Sequence, residues 1–178
     1  NRCSYGVNGG RVNGSPNMMT PSLPLDWPEN GCLDDRLKGS MDAFQIFRSS
    51  KSDLVRGDGS SNTLMFLENN DLTGWNVAKN EYDVACVWGS PMPTNNLNKG
   101  YRNGAAMGWA YARPISYHTS GFNVCFADAS TRLIADSIDY GVYAQLMTSN
   151  SSRLRNPSTN TPTVLPMGFM LPLNGNSY

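Results

Sequence analysis

The chain lacks any long apolar run. Mean hydropathy is −0.42, and no hydrophobic island nears the roughly 20 residues that a membrane helix needs. Charge is scarce as well. Asp, Glu, Lys and Arg make up 16% of the residues, against about a quarter in an ordinary domain. Fourteen basic residues balance 14 acidic ones, so no basic field exists to hold nucleic acid or an anionic membrane. Histidine occurs once, at His118. No cysteines stand at C-x-x-C spacing, which speaks against zinc. No EF-hand loop is present. Gly57-Asp58-Gly59 is followed by no Lys and opens no helix, so it is no phosphate loop. A nucleophile elbow is missing too. Without a signal-peptide pattern or an initiating Met, Asn1 reads as the start of a processed, trimmed or partial chain.

What is abundant is turn chemistry. The 178 residues include 17 Gly and 11 Pro, with Asn and Ser frequent, so much of the chain is loop. The length suits one domain with a real core. The reading is α+β: a loop-rich antiparallel sheet with one or two short helices. Residues 1–150 form the globular domain and residues 151–178 a Pro-rich tail.

Residues 1–31 carry Gly9-Gly10, Asn13-Gly14, Ser15-Pro16 and three spaced prolines. These are turn signals rather than element interiors. Residues 33–47 have mixed apolar spacing and stay ambiguous between helix and strand. Residues 52–56 lead into a tight turn at Gly57-Asp58-Gly59. Residues 63–68 predict a strand with apolar side chains on both faces, hence a central one. Residues 84–88 predict another, and residues 109–113 a further short one before Pro114. Between them, residues 89–108 are a long loop of the kind that often binds a partner. Residues 137–148 are the best helix, capped by Ser137 or Asp139 and weakened by Gly141. The tail beyond Asn150 loses periodicity, yet Leu165, Met167, Phe169, Met170 and Leu171 need a cover. Such a patch marks an interface candidate.

The centre of the chain is residues 116–134. Phe122, Val124 and Phe126 alternate with Asn123, Cys125 and Ala127, the period of a half-buried strand. Asp128-Ala129-Ser130 reads as a turn, and residues 131–134 as a second strand. The unit is a hairpin with His118 before its first strand and Asp128 at its tip.

This unit resembles the prepilin-type processing-associated proteins with an H-x9-D-G motif, in which His118 and Asp128 take the motif positions. Gly121 and Asn123 match the family's "S-x-H-P-G-G-x-N-V". Residues 57–65, with Asp58, Gly59 and Asn62, resemble its "D-G-T-S-N-T-L". Residues 4–10 resemble its "S-Y-x-x-N-x-G". Ala129 stands where the motif has Gly, and Thr119 where it has Pro. The resemblance implies a pilin-like or pseudopilin-like globular domain, of the kind found in type II secretion. Its partners would be copies of itself or related subunits, outside the cytoplasm. It also implies a prepilin signal and apolar helix, either cleaved or lying outside this chain.

Four candidate chemistries follow. His118 has no sequence neighbour that completes a catalytic set, so it reads as a structural group that hydrogen-bonds a loop or strand, and the chain as no enzyme. Cys3, Cys32, Cys86 and Cys125 are an even set in a chain of extracellular type. Cys86–Cys125 and Cys3–Cys32 can bridge if their segments adjoin, each link worth about 2–4 kcal/mol. The alternative is four buried thiols. Asp34, Asp35, Asp58, Asp71 and Asp83 could supply oxygen ligands for calcium, though the simpler expectation is no cofactor. Trp27, Trp75, Trp88 and Trp109 could form a sugar platform, making the chain a binding module for carbohydrate or another surface polymer. Otherwise they are core or interface anchors.

Overall fold

The computed structural model describes residues 3–11, 30–33, 50–72, 74, 83–89, 97–98 and 112–154. Among them run β1 (Tyr5–Arg11), α1 (Lys51–Arg56), β2 (Leu64–Glu68), β3 (Ala85–Trp88), β4 (Gly121–Phe126), β5 (Thr131–Ala135), α2 (Tyr140–Met147) and a closing 3-10 turn at Ser151–Arg153. The strands form one sheet in the order β3-β1-β2-β4-β5. The α+β class therefore stands, and β2 is central as its two-sided apolar pattern requires. The sheet is mixed rather than antiparallel, because β1 runs parallel to β3.

β1 replaces the loop predicted for residues 1–31 at this point. Its Gly6, Gly9 and Gly10 are poor strand formers in isolation, but Gly6 and Gly10 suit their places. A Cβ on Gly6 would meet the Val84 carbonyl oxygen at 3.2 Å, and Gly10 has φ +77°. Gly10 sits where the pairing with β3 slips between Asn8 and Arg11, a bulge that suits glycine.

β2 also carries a bulge. Leu64 pairs with Phe126 and Phe66 with Cys125, which leaves Met65 as the extra residue. The slip turns both Leu64 and Leu67 into the core, although they are three apart. α1 was not expected from the sequence. Ser50 caps it with a capping box completed by Asp53, and the predicted turn follows at Gly57.

α2 packs on the sheet. Its Tyr143 hydroxyl donates to the Val87 carbonyl at 3.2 Å, and the Tyr140 hydroxyl accepts from the Gly89 N–H at 3.1 Å. Asp139, not Ser137, is the cap. Trp88, Phe122, Phe126, Tyr143, Leu146 and Met147 are fully buried between the layers, each apolar side chain contributing about 1.5–3 kcal/mol. Leu154 joins the same core.

The four cysteines are free, which corrects the bridged reading. Cys86 lies in β3 and Cys125 in β4, with β1 and β2 between them. Three inter-strand steps of ~4.8 Å separate them by about 14 Å, twice the reach of a disulfide. Cys3 precedes β1, whereas Cys32 follows Gly31, which touches Gly10 near the far end of that strand.

Candidate functional site

The polar residues singled out by the sequence gather at the two ends of β2. At its amino end, Asp58 is a clamp. Its Oδ2 accepts from the Ser151 N–H at 2.8 Å and from Thr148 Oγ1 at 3.1 Å. Its Oδ1 accepts from Ser151 Oγ at 2.9 Å. The carboxylate thus holds the chain that leaves α2. Gly59 takes φ +94°, which lets the loop fold back. Asn62 Nδ2 then donates to the Asp58 carbonyl at 3.0 Å, and Thr63 Oγ1 to the Gly59 carbonyl at 3.0 Å.

The hairpin tip docks on this loop. Asp128 N–H donates to the Ser60 carbonyl at 3.1 Å and Ala127 N–H to the Thr63 carbonyl at 2.8 Å. Asp128 Oδ1 accepts from the Ser130 N–H at 2.9 Å, and the nearby Ser130 hydroxyl, with that N–H second, holds its carboxyl below the usual range. Ala129 follows at φ +68°, the left-handed position of a three-residue hairpin loop.

Asn8 joins the same end from β1. It is fully buried. Its Nδ2 donates to the carbonyls of Leu64 at 2.7 Å and Met147 at 2.8 Å, while its Oδ1 accepts from the Gly10 N–H at 2.9 Å. One amide therefore ties together β1, β2 and α2. Beside it the Cys32 thiol donates to the Leu64 carbonyl at 3.1 Å, and burial pushes that thiol up to about 12. Sequence reasoning placed Asn8 inside a motif block but gave it no role. Its only signal was a polar residue between Val7 and the Gly9-Gly10 pair.

At the carboxyl end of β2 sits Glu68, which the sequence did not single out. Its Oε2 accepts from the Asn123 N–H at 2.9 Å and from Asn123 Nδ2 at 3.0 Å. His118 Nε2 lies 3.1 Å from Asn123 Nδ2 and 3.6 Å from Glu68 Oε2. The imidazole side chain is 54% exposed, the carboxylate 10%. Backbone bonds hold His118 in place. Its N–H donates to Ser116 Oγ at 3.1 Å and its carbonyl accepts from Asn98 Nδ2 at 3.0 Å. The Ser116 hydroxyl donates to the Gly121 carbonyl. The hydroxyl thus meets the backbone N–H of His118 rather than its ring, which is not the arrangement of a serine–histidine dyad. Gly121 is needed where it stands, because a Cβ there would lie 2.2 Å from the Ile134 carbonyl oxygen.

Other candidates are dispersed. Among the described residues no three His, Cys, Asp or Glu side chains gather as a metal site. Asp58 has both oxygens engaged, and Asp71 and Asp83 lie apart from it in the chain. Asp34 and Asp35 fall outside the described residues. Trp88 is core, 1% exposed, and its indole donates to the Asn30 carbonyl at 3.0 Å. Trp27, Trp75 and Trp109 lie outside the described residues, as do nearly all of residues 89–108, the segment 34–47, and the tail with Leu165, Met167, Phe169, Met170 and Leu171.

A family model described as a protein of unknown function (DUF1559) matches residues 56–141. That span runs from the end of α1 to the start of α2. It contains both the Asp58 loop and the His118–Asp128 hairpin, while Asn8 lies ahead of it. No curated protein and no solved structure matches the chain.

Proposed function

We propose that this chain is a non-catalytic, extracellular structural protein, a pilin-like or pseudopilin-like subunit that acts by assembling with copies of itself or with related subunits. One observation carries the reading. The polar residues of the three sequence blocks (Asn8, Asp58, Asn62, His118, Asn123 and Asp128) bond to the protein's own backbone and side chains at the ends of β2. Side chains spent in this way build a frame rather than hold a substrate. The resemblance to prepilin-type surface proteins supplies location and kind of partner, and the sparse, balanced charge removes long-range repulsion between copies. The frame needs no cofactor, so chelation by EDTA leaves assembly unchanged.

The test is the state of the native protein at the cell surface and of the purified chain, by electron microscopy and light scattering. Filaments, sheets or defined oligomers support the reading. A monomer at all concentrations, or one with a defined sugar ligand, overturns it in favour of a polysaccharide-binding module.

A further inference from the structure

The two edges of the sheet differ in what covers them. β3 is buried at every residue, and its Val87 N–H donates outward to the Ala112 carbonyl at 2.7 Å. β5 is exposed at Thr131, Arg132, Leu133 and Ala135, and only Ile134 is buried.

The hydrogen-bond phase of β5 follows from the bonds at its ends. Phe126 N–H donates to the Ser130 carbonyl, and Asp136 N–H to the Ser120 carbonyl. In an antiparallel pair the bonded positions alternate. Residues 130, 132, 134 and 136 therefore turn their backbone groups toward β4. Thr131, Leu133 and Ala135 turn theirs away from it. Of these outward groups, the Ala135 carbonyl accepts from the Ile138 N–H at 3.1 Å. The others carry no partner among the described residues.

Natural sheets usually protect such an edge with proline, charged side chains (lysine above all) or a bulge. β5 has one such charge, Arg132, whose guanidinium lies over the Phe126 ring at 5.1 Å. Its five residues contain no Pro and no Lys, and its register against β4 is unbroken from Gly121↔Ala135 to Cys125↔Thr131. Leu133, the central residue, is 56% exposed.

We infer that β5 is the contact through which two copies of this chain join, edge to edge and antiparallel, about a twofold axis at Leu133, extending the sheet across the pair. The occupant is a second copy because the strand complements itself. With the axis at Leu133, its N–H and carbonyl meet those of the partner's Leu133 in a two-bond pair. Thr131 stands opposite the partner's Ala135, where the Ala135 N–H reaches the Thr131 carbonyl on each side. Four bonds thus form from unengaged groups. The two Leu133 side chains project from the same face and cover each other. The strand's one charge, Arg132, falls opposite the partner's Ile134 and not opposite its own copy. A parallel pairing in register would set the two arginines side by side, which is unfavourable.

The inference rests on the assembly reading and names its contact. The full chain is tested with Leu133→Lys, which puts like charges at the axis while altering only an exposed side chain. Leu133→Cys and Thr131→Cys test the register, each in a background with Cys3 and Cys125 changed to Ser. Directly opposed residues have Cα atoms about 5.5 Å apart, within disulfide reach. The two Thr131 residues lie four residues out of register, at roughly 14 Å or more. The expected result is loss of the dimer in Leu133→Lys with an unchanged circular dichroism spectrum. Oxidation should crosslink Leu133→Cys and leave Thr131→Cys uncrosslinked. If the chain assembles and Leu133→Lys assembles equally well, the β5 contact is wrong while the assembly reading stands. Crosslinking of Thr131→Cys in place of Leu133→Cys overturns the register and with it the twofold axis. A strictly monomeric parent chain overturns both proposals.

Discussion

At the amino end of β2 the Asp58 carboxylate takes three hydrogen bonds on its two oxygens, and a buried Asn8 three residues' worth of backbone beside it. At the carboxyl end the Glu68 carboxylate takes two, both on Oε2 and both from Asn123, with a half-exposed His118 alongside. The first end closes three segments distant in sequence onto one another. The second braces two adjoining strands, and of its groups the His118 ring is the one that faces water. The same residue types thus do different amounts of work. A polar group is worth most where its removal strands buried partners that water cannot reach.

The largest effect is expected at Asn8. Replacing it with Ala strips the Met147 carbonyl and the Gly10 N–H of this partner and leaves the Leu64 carbonyl with the Cys32 thiol, all at buried residues. At about 1–3 kcal/mol for each of the two stranded groups, the loss is roughly 2–6 kcal/mol, a large share of a domain's stability. Asn123→Ala at the open end should cost about 1 kcal/mol by the same principle. Urea unfolding of the two variants measures the contrast, and equal losses would remove it.

Alkaline pH should strike both ends, because Cys32 lies beside Leu64 at the amino end and Cys86 lies 3.8 Å from the amide of Asn69, the residue after Glu68, at the other. Burial pushes Cys32 and Cys86 from 9.0 up to about 12. The folded values are raised, so the stability these thiols contribute is complete below about 9 and drains away as the pH rises from there through about 12. The slope is roughly 1.4 kcal/mol per pH unit for each thiol. Tyr140 and Tyr143, also raised by burial, act in the same direction at higher pH. Unfolding midpoints at pH 8 and pH 10 should differ accordingly. Cys32→Ala should flatten the dependence. A pH-independent midpoint over that range would show that the thiols are not buried as described.

Next come the carboxylates themselves. Asp58→Ala should cost about 2–3 kcal/mol, since three donors lose a charged acceptor, and Glu68→Ala about 1 kcal/mol. Thermal unfolding in matched buffer orders the pair. A larger loss at Glu68 would reverse the comparison.

The sequence made much of this frame legible. β4 shows alternation, β2 an apolar run on both faces, β5 follows the turn at Asp128, and Asp139 marks the start of α2. The Ser50-x-x-Asp53 capping box could have revealed α1, but six residues give no helical period. β1 was hidden because its glycines and asparagine read as turn chemistry. They form a strand only because β3, β2 and the Gly31 loop pack against them. The parallel β1–β3 pairing and the absence of bridges between the cysteines depend on strand order, which local sequence does not encode. Glu68 was invisible for a related reason. Its role is set by Asn123, 55 residues away.

A smaller and opposite effect is expected at the hairpin tip. Ala129 is exposed and holds φ +68°, a left-handed conformation that costs an L-residue about 1–2 kcal/mol. Ala129→Gly relieves that cost and loses about 0.4–1 kcal/mol through the freer unfolded chain. A net gain of about 0.5–1 kcal/mol should appear as a higher urea midpoint. A lower midpoint would mean that the tip is not strained.

The smallest effect is expected at His118, although it is the chain's lone histidine and the first residue of the hairpin motif. The ring is more than half exposed and makes one contact at 3.1 Å and a longer approach at 3.6 Å. Exposed pairs of this kind are worth about 0–1 kcal/mol. The residue's firmer ties are its backbone N–H to Ser116 and its carbonyl from Asn98, and these survive any change of side chain. His118→Asn should therefore shift stability by less than about 0.5 kcal/mol and leave assembly intact. Asn98→Ala should cost more, because Asn98 Oδ1 also accepts from the Ser116 N–H at 2.7 Å and its backbone sits at φ 56°, a conformation that Asn tolerates better than Ala. The pair separates two accounts of the open end. If the ring holds it together, His118→Asn is the costlier change. If the loop's backbone does, Asn98→Ala is, and calorimetry of both variants decides.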